Sequence, residues 1–199
     1  IGIILNGSFF TIGTDTYNTK ADWDTYICSF SSNGTYRWSK HIASEGRDDI
    51  KALAIDQYNE IYVVGSYRDE TVYFTPTDSL VNEDHFDTYI AKYDVNGNLI
   101  YVKRAFWGND QERLQDVVVD RVEEKIVVVG TFKDDLIYYN GTTNVTVASV
   151  GPKDLFVATF SYDSVFQDIE IYNTSKQQST LKNIEICNAG GYFITGDLF

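Results

Sequence analysis

The chain has 199 residues, with 15 Tyr, 12 Phe, 2 Pro and no Met, 43% hydrophobic residues and a formal net charge of −13. That length supports a sizeable core in one domain. The acid excess argues against nucleic acid or an anionic membrane as partner, because phosphate binding is carried by Lys and Arg, and no run approaches the roughly 18 apolar residues that insert as a membrane-spanning helix.

Aromatic and β-branched residues suit a pleated, half-buried surface, so the composition predicts an all-β chain. In chain order the apolar runs predict strands at 1–10, 24–30 and 36–42, then 51–55, 60–67, 87–93 and 99–106. Further strands are predicted at 114–119, 125–132, 154–160 and 165–172, then at 181–187 and 191–199. The turns between them carry Asn, Asp and Gly, as in Asp94-Val95-Asn96-Gly97-Asn98, where Asn-Gly between apolar runs signals a hairpin.

The strands repeat. Asp24-Thr25-Tyr26-Ile27 returns as Asp87-Thr88-Tyr89-Ile90 and as Asp154-Leu155-Phe156-Val157. A turn position follows ten residues after each Asp, at Gly34, Gly97 and Ser164. An apolar run closed by glycine precedes each cycle, at Gly7, Gly65 and Gly130, and a last one ends at Gly196. A period of this length built from short strands marks repeated β units.

The predicted fold is therefore all-β, made of β-propeller blades of four antiparallel strands, an incomplete segment of a larger propeller. One repeat-built segment covers 1–199: a partial blade at 1–43 (strands two to four), full blades at 50–107 and 114–172, and a partial blade at 181–199 (strands one and two). The missing Met and the mid-blade ends give the expectation of an excised stretch of something longer. The missing blades are expected from the same polypeptide or from neighbouring subunits, since open sheet edges invite pairing.

The run Asp-Thr-Tyr-Ile-Ala-Lys-Tyr-Asp-Val-Asn-Gly at 87–97 resembles the start of the SBBP-type β-propeller repeat. Trp38-Ser39-Lys40, Leu53-Ala54-Ile55-Asp56 and Tyr62-Val63-Val64-Gly65 are similar to its continuation. The third cycle departs, with Ser164 for Gly, Asp168 for Trp or Tyr, Glu170 for Lys and Cys187 for Asp. The resemblance implies a secreted or cell-surface propeller that serves as an accessory module in large extracellular proteins, and no particular reaction.

Candidate sites gather where the spacing varies. From Asp to the end of the next first strand the repeat is nearly constant, whereas the stretch from the signature glycine to the next Asp changes in length. The loops at 11–23, 68–86 and 133–153 are thus expected to carry any partner contacts. Asn33, Asn140, Asn144 and Asn173 head Asn-X-Ser/Thr sequons, as does Asn6, which falls within a predicted strand. They predict N-glycosylation and a secretory route. Calcium takes six to eight oxygen ligands, and Asp15, Asp22 and Asp24, with Asp84 and Asp87, are its weak candidate ligands. Trp23, Tyr73, Tyr138 and Tyr139 are weak candidates for contact with a ligand, including carbohydrate.

No nucleophile elbow, phosphate-cradling loop or zinc spacing occurs, and the only histidines are His41 and His85. His41, aligned with Arg104, is expected to face solvent. Cys28 and Cys187 read as buried thiols in different repeats. The functional expectation is a non-enzymatic extracellular structural or interaction module of a larger secreted or cell-surface glycoprotein, filamentous ones included, with no required cofactor. The alternative is a glycan- or calcium-dependent binding module that uses the long loops.

Overall fold

In a computed structural model the protein is described at residues 2–5, 9–18, 24–68, 71–82, 85–175, 179–187 and 191–197. β1 (Gly2–Leu5) is followed by a hairpin, β2 (Phe9–Ile12) and β3 (Asp15–Asn18), then by β4 (Asp24–Phe30) and β5 (Tyr36–Ile42). The first sheet has the order β1-β4-β5. Next come β6 (Arg47–Ile55) and β7 (Ile61–Arg68), the hairpin β8 (Thr71–Tyr73) and β9 (Ser79–Val81), then β10 (Phe86–Tyr93) and β11 (Leu99–Arg104). They form a four-stranded sheet of order β11-β10-β7-β6 beside the hairpin.

The third unit repeats this plan. β12 (Arg113–Asp120) and β13 (Lys125–Phe132) lead to the hairpin β14 (Asp135–Tyr139) and β15 (Asn144–Ala148), then to β16 (Asp154–Ser161) and β17 (Phe166–Tyr172). Its sheet runs β12-β13-β16-β17, and a last pair, β18 (Thr180–Ile186) and β19 (Tyr192–Asp197), follows. Among the described residues there is no helix, and neighbouring strands pair antiparallel. The first strands β6, β12 and β18 lie side by side, as the inner strands of successive propeller blades do.

The two four-stranded sheets are buried on both faces at their second strands, β7 and β13, which explains why these read as unbroken apolar runs. Val63 packs with Ile27, Ile42 and Tyr89 toward the first blade, while Val64 packs with Ile90, Phe106 and Leu114 toward the third. Val128 faces back into that second cluster, and Val127 and Val129 meet Leu181 and Ile184 of the last pair. Full burial of one such side chain contributes about 1.5–3 kcal/mol. The seams between blades therefore carry most of the stabilisation.

The glycine that ends each run has a mechanical cause. Strand one bulges opposite it, at Ile50/Ala52 against Gly65, at Leu114/Asp116 against Gly130 and at Leu181/Asn183 against Gly196. The aromatic of strand three, Tyr89 or Phe156, lies opposite Gly65 or Gly130. A β-carbon at Gly65 would fall 2.0 Å from the Asp49 carbonyl oxygen and 2.5 Å from the Tyr89 hydroxyl. At Gly130 it would fall 2.3 Å from the Phe156 ring. Bulge, glycine and covering ring form one packing unit.

The three stretches expected as loops are not open loops: each contains a hairpin, and the predicted first strand gives way to the separate strands β1 and β2. Backbone bonding explains the difference. Tyr73 and Ala43 exchange N–H···O bonds of 2.9 and 3.2 Å, and Ile137 and Trp107 exchange bonds of 2.7 and 3.0 Å. The hairpin of one blade thus docks on the link leaving the blade before it. Its next residue then plugs the seam: Phe74 is 3% and Tyr138 8% exposed. Tyr138 is accordingly no loop aromatic but a core residue, stacked on Phe166 at 4.5 Å.

Candidate functional site

The repeated Asp begins strand three and is buried in all three units. Its partner comes from strand four and changes with the repeat. Asp24 accepts from His41 Nε2 at 2.8 Å, whereas Asp87 lies 3.4 Å from the Arg104 guanidinium. In the third unit the residue opposite Phe156 is Ile171. There Asp154 accepts backbone N–H bonds instead, from Val150 at 2.7 Å and Thr174 at 2.8 Å.

His41 is therefore half-buried beneath an open groove rather than a fully solvent-facing strand residue. Its ring stacks on Tyr26 at 4.6 Å and 9°, because the buried carboxylate holds Nε2 from below. Burial, with the Asp24 charge added, pushes the Tyr26 phenol up to about 12. Cys28, on the same strand, is buried, and burial also raises its thiol. It and Cys187 form no disulfide.

Above His41 an open groove of about 800 Å³ runs between Asp15 and Tyr17 of the first hairpin and Tyr73 and Pro76 of the second, with Ser39 in its floor. Asp15 Oδ2 accepts from the hydroxyls of Tyr36, of Ser39 at 3.1 Å and of Tyr17 at 3.5 Å. The Tyr36 bond, with Ser39 and Tyr17 after it, holds the Asp15 carboxyl below the usual carboxylate range. Tyr73 is 39% exposed and lines the groove. The groove thus brings together a carboxylate, several hydroxyls, an imidazole and an aromatic residue.

The candidate calcium ligands are not gathered. Asp15 is tied to hydroxyls, Asp24 to His41 and Asp87 to Arg104. Asp22 and Asp84 lie outside the described residues, as do Asn6 and Trp23. Among the described residues no three acidic, His or Cys side chains converge on a metal position. Tyr139 is exposed at 53% and donates to the Gly141 carbonyl.

All four remaining sequon asparagines are exposed: Asn33 in the turn after β4, Asn140 at the tip of the third hairpin, Asn144 at the start of β15 and Asn173 after β17. Asn33 Oδ1 accepts from Thr35 Oγ at 2.8 Å, tying the sequon into its turn.

Sequence reasoning passed over Ser39 and His41 as parts of a groove, and over the hairpins that wall it. One signal was available: Gly13-Thr14 sits between alternating residues, and Gly13 adopts φ 58°.

No family model matches the chain. It is similar to an uncharacterised WD repeat-containing protein of Acanthamoeba polyphaga mimivirus, 24% identical over 139 residues that cover 63% of this chain. The match spans 10% of that relative's length. With the four-stranded antiparallel sheets, it places the chain among β-propeller-type repeats.

Proposed function

We propose that the chain is a non-enzymatic protein-interaction module within a larger secreted or cell-surface glycoprotein, built on SBBP-type propeller repeats. The carrying observation is the division of labour within each unit. Sheet, bulge and glycine recur almost unchanged, while the hairpin at the same place in each blade differs in length and chemistry. An invariant frame with variable protrusions suits recognition rather than a reaction. The exposed sequons favour the secretory route, and the charge of −13 favours cationic over anionic partners. The three-stranded first sheet and the final strand pair are read as completed by further blades of the same polypeptide or by neighbouring subunits.

The test is expression of the full polypeptide in a secretory host, with chemical cross-linking to its natural partner. Replacing β2–β3 and β8–β9 by minimal turns is expected to abolish the cross-links and leave secretion intact. Peptide mapping is expected to find glycan on Asn33 and Asn140. Bare asparagines in secreted material would remove the glycoprotein reading, and unchanged cross-links would remove the hairpin face.

A further inference from the structure

Resting on the reading of the hairpin side as a contact surface, we propose that the groove between Asp15 and Tyr73 receives an arginine side chain of a protein partner.

The second repeat supplies the internal template. There the position equivalent to His41 is Arg104, and its guanidinium lies 4.2 Å from the centre of the Trp107 ring and 3.4 Å from Asp87. An arginine held between an aromatic face and a carboxylate is thus an arrangement this fold builds for itself. Arg113 repeats it, 3.9 Å over Phe86 and 3.8 Å from Asp49. In the first repeat the shorter His41 engages Oδ2 of the buried Asp24, and the space above is open groove.

The open space keeps the matching chemistry. Asp15 gathers its hydroxyl donors on Oδ2, at one carboxylate edge. The Ser39 carbonyl adds an acceptor at the floor, shared with Tyr17 at 2.9 Å. Tyr73 and Tyr17 line the two sides. Lys40 also lines the groove, but its side chain extends toward the turn of the next blade beside Gly97 and Asp94. An acceptor-rich floor with an aromatic wall selects a planar, multiply donating cation, which is arginine rather than lysine.

The probe is an acetylated, amidated Gly-Arg-Gly-Arg-Gly peptide titrated into the full polypeptide by NMR, beside its citrulline and lysine analogues and maltopentaose. Shifts are expected at Ser39, His41 and Tyr73, with citrulline binding at least tenfold weaker and lysine intermediate. Asp15→Asn and Tyr73→Ala should each weaken the arginine peptide at least tenfold, while Tyr139→Ala on another hairpin leaves it unchanged. Because Asp15→Asn removes bonds within its hairpin, Thr14→Lys, at an exposed turn position, places a cation at the groove mouth without disturbing them and should abolish binding. Equal binding of the citrulline peptide, preference for maltopentaose, or insensitivity to Thr14→Lys overturns the proposal. Should the arginine peptide fail while hairpin replacement still abolishes partner cross-links, only this inference falls.

Discussion

Tyr89 stands directly opposite Gly65 in the ladder between β10 and β7, and its hydroxyl donates at 3.2 Å to the Asp49 carbonyl on β6. One side chain thus spans three strands, and it can do so only because the middle strand has no β-carbon beneath the ring. The Asp-X-aromatic and Val-Val-Gly motifs are two halves of this contact, which is why they recur together.

Gly65→Ala is expected to destabilise the protein by about 2–3 kcal/mol, because the new methyl meets backbone on one side and a wedged ring on the other. Gly34 has φ 83° but nothing within 4 Å of a β-carbon, so Gly34→Ala should cost only about 1 kcal/mol of backbone strain. Urea unfolding of both variants decides the matter. Equal losses would mean that the Tyr89 ring and the Asp49 carbonyl yield to a methyl group, and that their close approach does not require glycine.

The stability is expected to fall as the solution becomes alkaline. Asp48 and Glu112 occupy equivalent buried positions at the start of strand one in successive blades. Asp48 Oδ2 and both Glu112 oxygens lack hydrogen-bond partners. Burial pushes Asp48 up to about 7 and Glu112 to about 9, the latter helped by the charges of Asp87, Asp110 and Asp134. A raised carboxyl is protonated in the fold, so its contribution is full below the ordinary carboxylate range and is lost as pH rises through the folded value. The urea midpoint should therefore drop between pH 5 and pH 9, by on the order of 3 kcal/mol in stability. Asp48→Asn with Glu112→Gln should flatten that slope, and a slope unchanged in the double variant would show that other groups control it.

Adjacent blades are also stitched by strand-four donors. Trp38 Nε1 donates at 3.0 Å to the Val95 carbonyl in the next blade's turn, and the Tyr101 hydroxyl at 2.9 Å to that of Tyr162. Tyr101→Phe keeps the ring and removes one bond, for an expected loss of about 1 kcal/mol. Trp38→Ala also removes the packing over Gly97 and should lose about 3–5 kcal/mol. Calorimetric melting separates the two, and a Tyr101→Phe protein as weakened as Trp38→Ala would show that the ring is not what holds the seam.

The blade plan was legible because strand, turn and glycine signals agree over every cycle. The departures in the third cycle have structural counterparts: Ser164 takes φ 56° where Gly34 and Gly97 take 83° and 80°, and Asp168 stands where Trp38 and Tyr101 donate across the seam. The hairpins were not legible from the same reading, since β8 and β9 have only three residues each and gain their order from long-range bonds to Ala43. For the same reason Tyr138 reads as a loop residue until its seam is seen. His41 and Asp24 lie 17 residues apart, and only the register of β4 on β5 makes them a pair.

Lys92 is 5% exposed, and its ammonium sits 5.1 Å over Tyr62, 5.8 Å from Tyr162 and 6.0 Å from Tyr101. It pairs with Glu60 at 2.5 Å and donates to the Tyr162 carbonyl at 3.3 Å, so one cation joins the second and third blades. Removing one member of a buried pair is costly chiefly when the partner charge is stranded without water. Glu60 is 30% exposed and can be rehydrated, which leaves packing and the ring contacts as the main loss. Lys92→Met fills the same channel with an unbranched chain and should cost under about 2 kcal/mol. Lys92→Ala opens a cavity among three rings and should cost about 3 kcal/mol or more. If the two substitutions are equally damaging in urea unfolding, the charge and not the filled volume joins the blades, because methionine restores the second but not the first.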